Sequence, residues 1–219
     1  MRDSFPYYPL ARNIKTLYNL SRKPMQNIYE KLEIPENDRL TSIQKDQAEF
    51  IFDFLKDKKI SQTLETGFAY GCSTAYIISA TKSPHIAIDP YQQSYKNLGL
   101  KNIAALGLQK YLKFIALPSL AALPAILSEG LKIDFAFIDG GHKFDEIFID
   151  WFYIDLLLAD RGHVMFDDSW LKSTQTVASF IRTNRRDYTE IKTPIENIFL
   201  FQKTGTDQRD WRHFENFGV

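Results

Sequence analysis

Cysteine is almost absent from this chain. Cys72 stands alone, so no intrachain disulfide can form and a reducing compartment is the natural setting. The opening MRDSFPYYPL lacks the apolar core of a secretory signal, which leads to the expectation of a cytoplasmic protein. No uninterrupted apolar run approaches the roughly 18 residues that a spanning helix requires, so no membrane segment is predicted. An excess of one charge is missing too. The 27 basic residues balance 27 acidic ones, which gives no broad basic field for nucleic acid and no polybasic patch for a membrane surface. A small or neutral substrate is favoured. Internal repeats and low-complexity linkers are also lacking. What is present, 219 residues with 44% hydrophobic content, is enough for one well-buried core.

From Gln62 onward, strand-like and helix-like segments alternate. Strands are predicted over residues 62–66, 85–89, 112–116, 133–139 and 162–167, with a closing pair near 187–192 and 196–202. Helices are predicted over 42–58, 71–81, 93–107, 119–129, 143–159 and 173–185. Thr41 with Gln44 resembles a capping box for the first of these, and Pro84 and Gly162 punctuate helix-to-strand passages. The alternation predicts an α/β fold: a doubly wound, mostly parallel, seven-stranded sheet with helices on both faces. Residues 1–40 differ in character. Phe5, Pro6, Tyr7, Tyr8 and Pro9 form an aromatic and proline cluster, followed by a short helix around 12–20 and the polar stretch IPENDRL. This N-terminal arm reads either as packing on the domain or as a lid or dimer contact over a ligand. The main domain is expected over 41–203, with a tail over 204–219.

Four stations carry the chemistry, each at the end of an apolar run. The first is TLETGFAYGCST, from Thr63 to Thr74, where Gly67 and Gly71 occupy a turn between strand and helix. Such turns let backbone approach a ligand and expose unpaired N–H groups at the helix N-terminus. The spacing Gly67-x-x-x-Gly71 differs from the G-x-G-x-x-G of nicotinamide and flavin binders, and a pyrophosphate there would meet Glu65, a like charge. The second station is Asp89 after HIAI, placed to accept hydrogen bonds from ribose hydroxyls; its plainer role is a turn residue before Pro90. The third and fourth are DFAFIDGGHKFDE and GHVMFDDSW, which set Asp139, Asp167 and Asp168 at the same sheet edge. Clustered carboxylates repel one another unless protons or a cation intervene, so a hard divalent ion such as Mg²⁺ is expected there. In extended backbone, Asp167 and Asp168 would point to opposite faces, so both can ligate only if the chain has turned. His142, beyond two glycines from Asp139, is placed to act as a general base. His85, His163 and His213 read as structural.

Together these residues resemble the class I S-adenosylmethionine-dependent methyltransferases, from about Thr41 to Lys203. The family's first motif, E-x-G-x-x-x-G, is matched by Glu65, Gly67 and Gly71, and its ribose-binding acid by Asp89. IDGGH followed by a long helix and FDD is similar to a metal-dependent small-molecule O-methyltransferase group that includes enzymes acting on sugar hydroxyls of natural products. The resemblance implies a Rossmann-like sheet, S-adenosylmethionine held by Glu65, Gly67, Phe68, Tyr70, Gly71, Ser73, Asp89, Ser119 and Asp139, Mg²⁺ held by Asp139, Asp167 and Asp168, and His142 as base. It also implies a small-molecule hydroxyl substrate and leaves self-association open. The chain departs from related sequences after the third strand, where ALPSLAALP puts Leu117 and Pro118 in place of a glycine and a polar residue, leaving Ser119 as the matching polar group. The catechol-type relatives carry asparagine where Asp168 stands. The rival readings are a non-catalytic S-adenosylmethionine-binding subunit and an NAD-dependent oxidoreductase.

Overall fold

The computed structural model describes residues 27–39 and 42–218. The aromatic and proline cluster, the helix expected at 12–20, and Thr41 lie outside the described residues. Among the described residues seven strands form one sheet: β1 (Thr63–Thr66), β2 (His85–Ile88), β3 (Leu112–Ile115), β4 (Ile133–Ile138), β5 (Leu158–Phe166), β6 (Tyr188–Glu190) and β7 (Phe199–Lys203). Their order is β3-β2-β1-β4-β5-β7-β6. The first five strands run parallel, and β7 is antiparallel to both β5 and β6. The predicted doubly wound sheet is the observed one.

Between the strands lie α1 (Lys45–Leu55, before β1), α2 (Cys72–Thr81), α3 (Leu98–Ala105), α4 (Ser119–Ser128), α5 (Phe144–Leu157) and α6 (Lys172–Asn184). Local sequence explains their ends. At the start of α1, the Gln47 side chain accepts the Gln44 backbone N–H at 2.8 Å; at the start of α5, Glu146 accepts that of Lys143 at 3.2 Å. Each bond satisfies a donor that the first helical turn leaves orphaned. Asp145 and Glu146 also place negative charge at the positive end of the α5 dipole.

The period-two alternation of the central strands divides the core in two. Phe135, Phe137 and Met165 face one side with α1, α2 and α3. Ala136, Ile138, Val164 and Phe166 face the other, with α4, α5 and α6. Among the described residues no helix is long and apolar enough to cross a membrane.

Two boundaries differ from expectation by four residues or more. The helix expected from residue 93 begins at Leu98, because Gln92–Asn97 form successive turns with Lys96 and Asn97 at positive φ. β5 begins at Leu158, four residues before Gly162, so this glycine lies within the strand rather than ahead of it. Ile133 pairs with Leu158 and Phe135 with His163, so five steps along β5 match two along β4 and the intervening residues bulge. A Cβ at Gly162 would stand 2.9 Å from the Ala159 carbonyl oxygen, which is why the bulge takes a glycine.

Candidate active site

β1 and β4 are neighbours although the chain leaves β1 for β2 on its other side, and this makes their carboxyl ends the topological switch point of the sheet. The turn after β1 and the loop after β4 meet there so closely that a Cβ on Gly67 would lie 1.9 Å from the Asp139 carbonyl oxygen. Gly67 has φ +86° and Gly71 has φ +72°, both in the left-handed region that favours glycine. Gly71 caps α2, whose first amides open into a cavity of about 270 Å³. Gly67, Phe68, Tyr70, Ser73, Asp139 and His142 of the predicted set line this cavity. Asp38, Ser42, Ile43 and Tyr95 line it too, though nothing in the local sequence marked them. The Tyr70 hydroxyl bonds to Asp38, and Asn102 bridges the Tyr70 carbonyl (2.9 Å) and Glu33 (2.9 and 3.1 Å), tying the segment before α1 to the glycine turn.

Asp89 is buried, and its carboxylate is largely committed to backbone. Oδ2 accepts the N–H groups of Phe68 (3.1 Å) and Ala69 (2.8 Å), and Oδ1 that of Tyr91 (2.6 Å). These bonds hold the glycine turn, whose Ala69 sits at φ +41°, and leave about one acceptor site for a ribose hydroxyl. Replacing Asp89 with alanine is expected to weaken S-adenosylmethionine binding at least roughly tenfold, chiefly by loosening the turn, since each lost bond to a charged acceptor costs about 1.5–3 kcal/mol. Calorimetric titration checks this, and unchanged affinity would show that the turn holds its shape without the carboxylate.

Glu65 is fully buried, with Oε1 accepting from the Thr74 hydroxyl and standing 3.6 Å from His85 Nε2. Its Oε2 has no partner among the described residues. His85 is held at Nδ1 by Thr63 at 2.8 Å, and His163, buried against Phe54, is pushed down to about pKa 4 by desolvation and by Lys58. Both read as structural. Ser119 opens α4 and stands by the buried Asp150, whose pKa burial raises and the Ser119 and Thr66 hydroxyls lower. It is not among the residues lining the cavity.

Beside the cavity, Asp139, His142 and Asp168 each offer a ligand atom, all within 4.8 Å of one another. The turn that the aspartate pair required is present: Asp168 has φ +52°, an uncommon conformation for a non-glycine residue. Its Oδ2 lies 3.1 Å from His142 Nε2, and its Oδ1 accepts the Trp170 indole N–H at 2.9 Å. Asp167 does not join this group. Its Oδ1 accepts from Gln47 Nε2 (2.8 Å) and Asn197 Nδ2 (2.9 Å), so it fastens α1 and the segment before β7 to the sheet edge. Desolvation raises Asp139 well above the usual carboxylate range, and Asp167, Asp168 and Glu65 add repulsion. Desolvation likewise raises Asp167, to about 7. A carboxylate cluster of this kind fits a divalent cation, which would relieve the repulsion.

Residues 64–169 match a family described as a methyltransferase domain. None of the curated proteins compared matches the sequence. The fold is similar to that of the O-methyltransferase TomG from Streptomyces achromogenes, involved in tomaymycin synthesis and solved with SAM, at 16% identity and TM-score 0.68 over 89% of this chain and 96% of that one. It is similar also to an O-methyltransferase from Bacillus cereus in complex with SAH, at 14% identity and TM-score 0.68 over 89% and 97% of the two chains. A third likeness is to the SAH-bound Podospora anserina methyltransferase PaMTH1, at 13% identity and TM-score 0.71 over 94% and 100%. The sheet order, the glycine turn and the matched segment define the class of fold, that of the class I methyltransferases, with residues 64–169 matching a methyltransferase domain.

Proposed function

We propose that the protein is an S-adenosylmethionine-dependent methyltransferase that acts on a hydroxyl of a small molecule, with a divalent cation at the edge formed by Asp139 and Asp168. The observation that carries this reading is the convergence of Asp139, His142 and Asp168 beside the cavity at the glycine turn. S-adenosylmethionine supplies an already activated methyl group on its sulfonium, so the protein's work is alignment of the acceptor oxygen and removal of its proton. The first amides of α2 suit the carboxylate of the methyl donor, and the unpartnered Glu65 Oε2 suits a hydrogen-bond donor on it. Asp89 keeps the turn in the conformation that presents those amides.

On the acceptor side, the carboxylates of Asp139 and Asp168 are the donors for the cation, with Asp167 able to contribute only through Oδ2. The cation would be Mg²⁺ or a similar oxygen-loving ion, and its charge would lower the pKa of a hydroxyl held beside it. His142 Nε2 stands 3.1 Å from Asp168 Oδ2; in the neutral tautomer that carries its proton on Nε2, Nδ1 keeps the lone pair that would receive the acceptor's proton. A vicinal diol or catechol suits this edge because two adjacent oxygens can chelate one ion.

Methyl transfer to a panel of catechols and sugar diols tests the proposal. Chelator is expected to abolish turnover and added Mg²⁺ or Mn²⁺ to restore it. His142→Ala should lower kcat about 100-fold or more and remove the acid limb of its pH profile while sparing cofactor affinity. If chelation and Asp168→Ala both leave the rate unaltered, the metal-assisted reading is wrong.

A further inference from the structure

The helices α4 and α5 lie side by side on the sheet face away from α2, and their outer surface is almost free of charge. α4, SLAALPAILS, contains no ionisable residue. α5, FDEIFIDWFYIDLL, has Asp145 and Glu146 in its first turn, whereas its other acids, Asp150 and Asp155, are buried. What faces outward is Leu117, Leu120, Phe144, Phe152 and Leu156, from 40% to 61% exposed. Its neighbour α6 shows the ordinary alternative, with Lys172, Gln175, Thr176 and Arg182 on the side away from the core. A surface helix in water normally carries such a polar face, and two adjacent helices without one imply a cover.

We propose that this α4–α5 face is the interface of a two-fold homodimer. Two features favour a second copy of this chain. The first is charge. Asp145 and Glu146 mark the N-terminal end of α5, and Glu146 is paired with Lys143 at 3.3 Å, leaving Asp145. Near the other end stand Lys132, whose Nζ bonds the Leu156 carbonyl at 2.9 Å, together with Arg161 and Asp160. A two-fold axis across α5 packs the helices antiparallel and brings the acidic end of each against the net basic end of the other, as an isologous interface requires. The second is area. The five exposed apolar side chains leave on the order of 500 Å² outside, the upper range for the largest patch on a monomer, and with their half-buried neighbours they approach the roughly 800 Å² per partner of a standard interface. The balanced net charge adds no long-range repulsion between copies.

Sedimentation velocity and light scattering of the full chain over a micromolar concentration series test the interface. The wild type is expected at twice the monomer mass. Phe152→Glu and Leu120→Glu, both solvent-facing, should raise the dimer dissociation constant roughly thirtyfold or more, as loss of a central apolar contact does. Circular dichroism and cofactor affinity should stay unchanged in both variants. Asp145→Lys should weaken the dimer, and adding Lys132→Glu should restore it. A wild type that is monomeric throughout overturns the proposal, as does a dimer indifferent to both glutamate variants. So does a monomer that dimerises only after removal of residues 1–26, since that segment would then be the cover.

Discussion

Gly67→Ala is expected to cost the protein about 3 kcal/mol or more and to weaken S-adenosylmethionine binding at least roughly 100-fold. Two effects combine. At φ +86° an L side chain is strained by about 1–2 kcal/mol. The new methyl would also sit 1.9 Å from the Asp139 carbonyl oxygen and 2.5 Å from its carbon, both backbone atoms that no side-chain rotation can move aside. Either the glycine turn or the loop carrying Asp139 and His142 must shift, and both line the cavity proposed to hold the methyl donor. For a chain of this size, the destabilisation corresponds to a fall in Tm of roughly 6–12 °C. Gly107→Ala separates strain from crowding, since Gly107 has φ +70° but nothing within 4 Å of the added Cβ. It should lose only about 1 kcal/mol and bind the cofactor normally. Equal melting temperatures and affinities for the two variants would show that the two loops are not in contact.

The second large effect is expected at Asp139, where removing the charge should stabilise the metal-free protein while abolishing its chemistry. Asp139 is raised well above the usual carboxylate range by burial and by its acidic neighbours, and Asp167 to about 7. Well below pH ~4, the unfolded aspartate pKa, both are protonated in folded and unfolded chains alike and contribute no pH dependence. As pH rises from there, the unfolded chain releases these protons first, so stability falls until the folded pKa is passed. The metal-free enzyme should therefore melt at a higher temperature near pH 5 than near pH 7. Asp139→Asn should flatten that decline and raise Tm at pH 7, yet reduce divalent-ion affinity at least roughly tenfold and turnover by about 100-fold or more. In the wild type, saturating Mg²⁺ or Mn²⁺ should restore stability at pH 7 by binding the folded state alone. Thermal scans across pH, with and without metal, decide the matter. A variant that melts lower at pH 7 and still responds fully to metal would remove Asp139 from the site.

Much of this site was legible in the chain because its parts are local. Gly67 and Gly71 announce a turn through their spacing, and Asp89, Asp139 and the Asp167–Asp168 pair each follow an apolar run that is too short to be anything but a strand. A parallel sheet then brings all strand ends to one edge. The partners of those residues were not legible. Gln47 is one polar residue within an amphipathic helix, 120 positions from the Asp167 it holds, and Asn197 lies in a loop. For Asp89 the chain offers both a ribose acceptor and a turn residue, and its three backbone donors show the second role while leaving about one acceptor site for the first.

Propensity, alternation and turn chemistry act over a few residues, so the succession of strands and helices, the glycine turn and the acids that reach the sheet edge are written in the chain itself. How those acids divide their work comes from the packed fold. The left-handed backbone at Asp168 turns its carboxylate towards His142 and Asp139, while two amides from distant segments draw Asp167 into a supporting role. That division depends on where separate loops meet, and those distances are fixed by packing across the sheet rather than by any pattern along the chain.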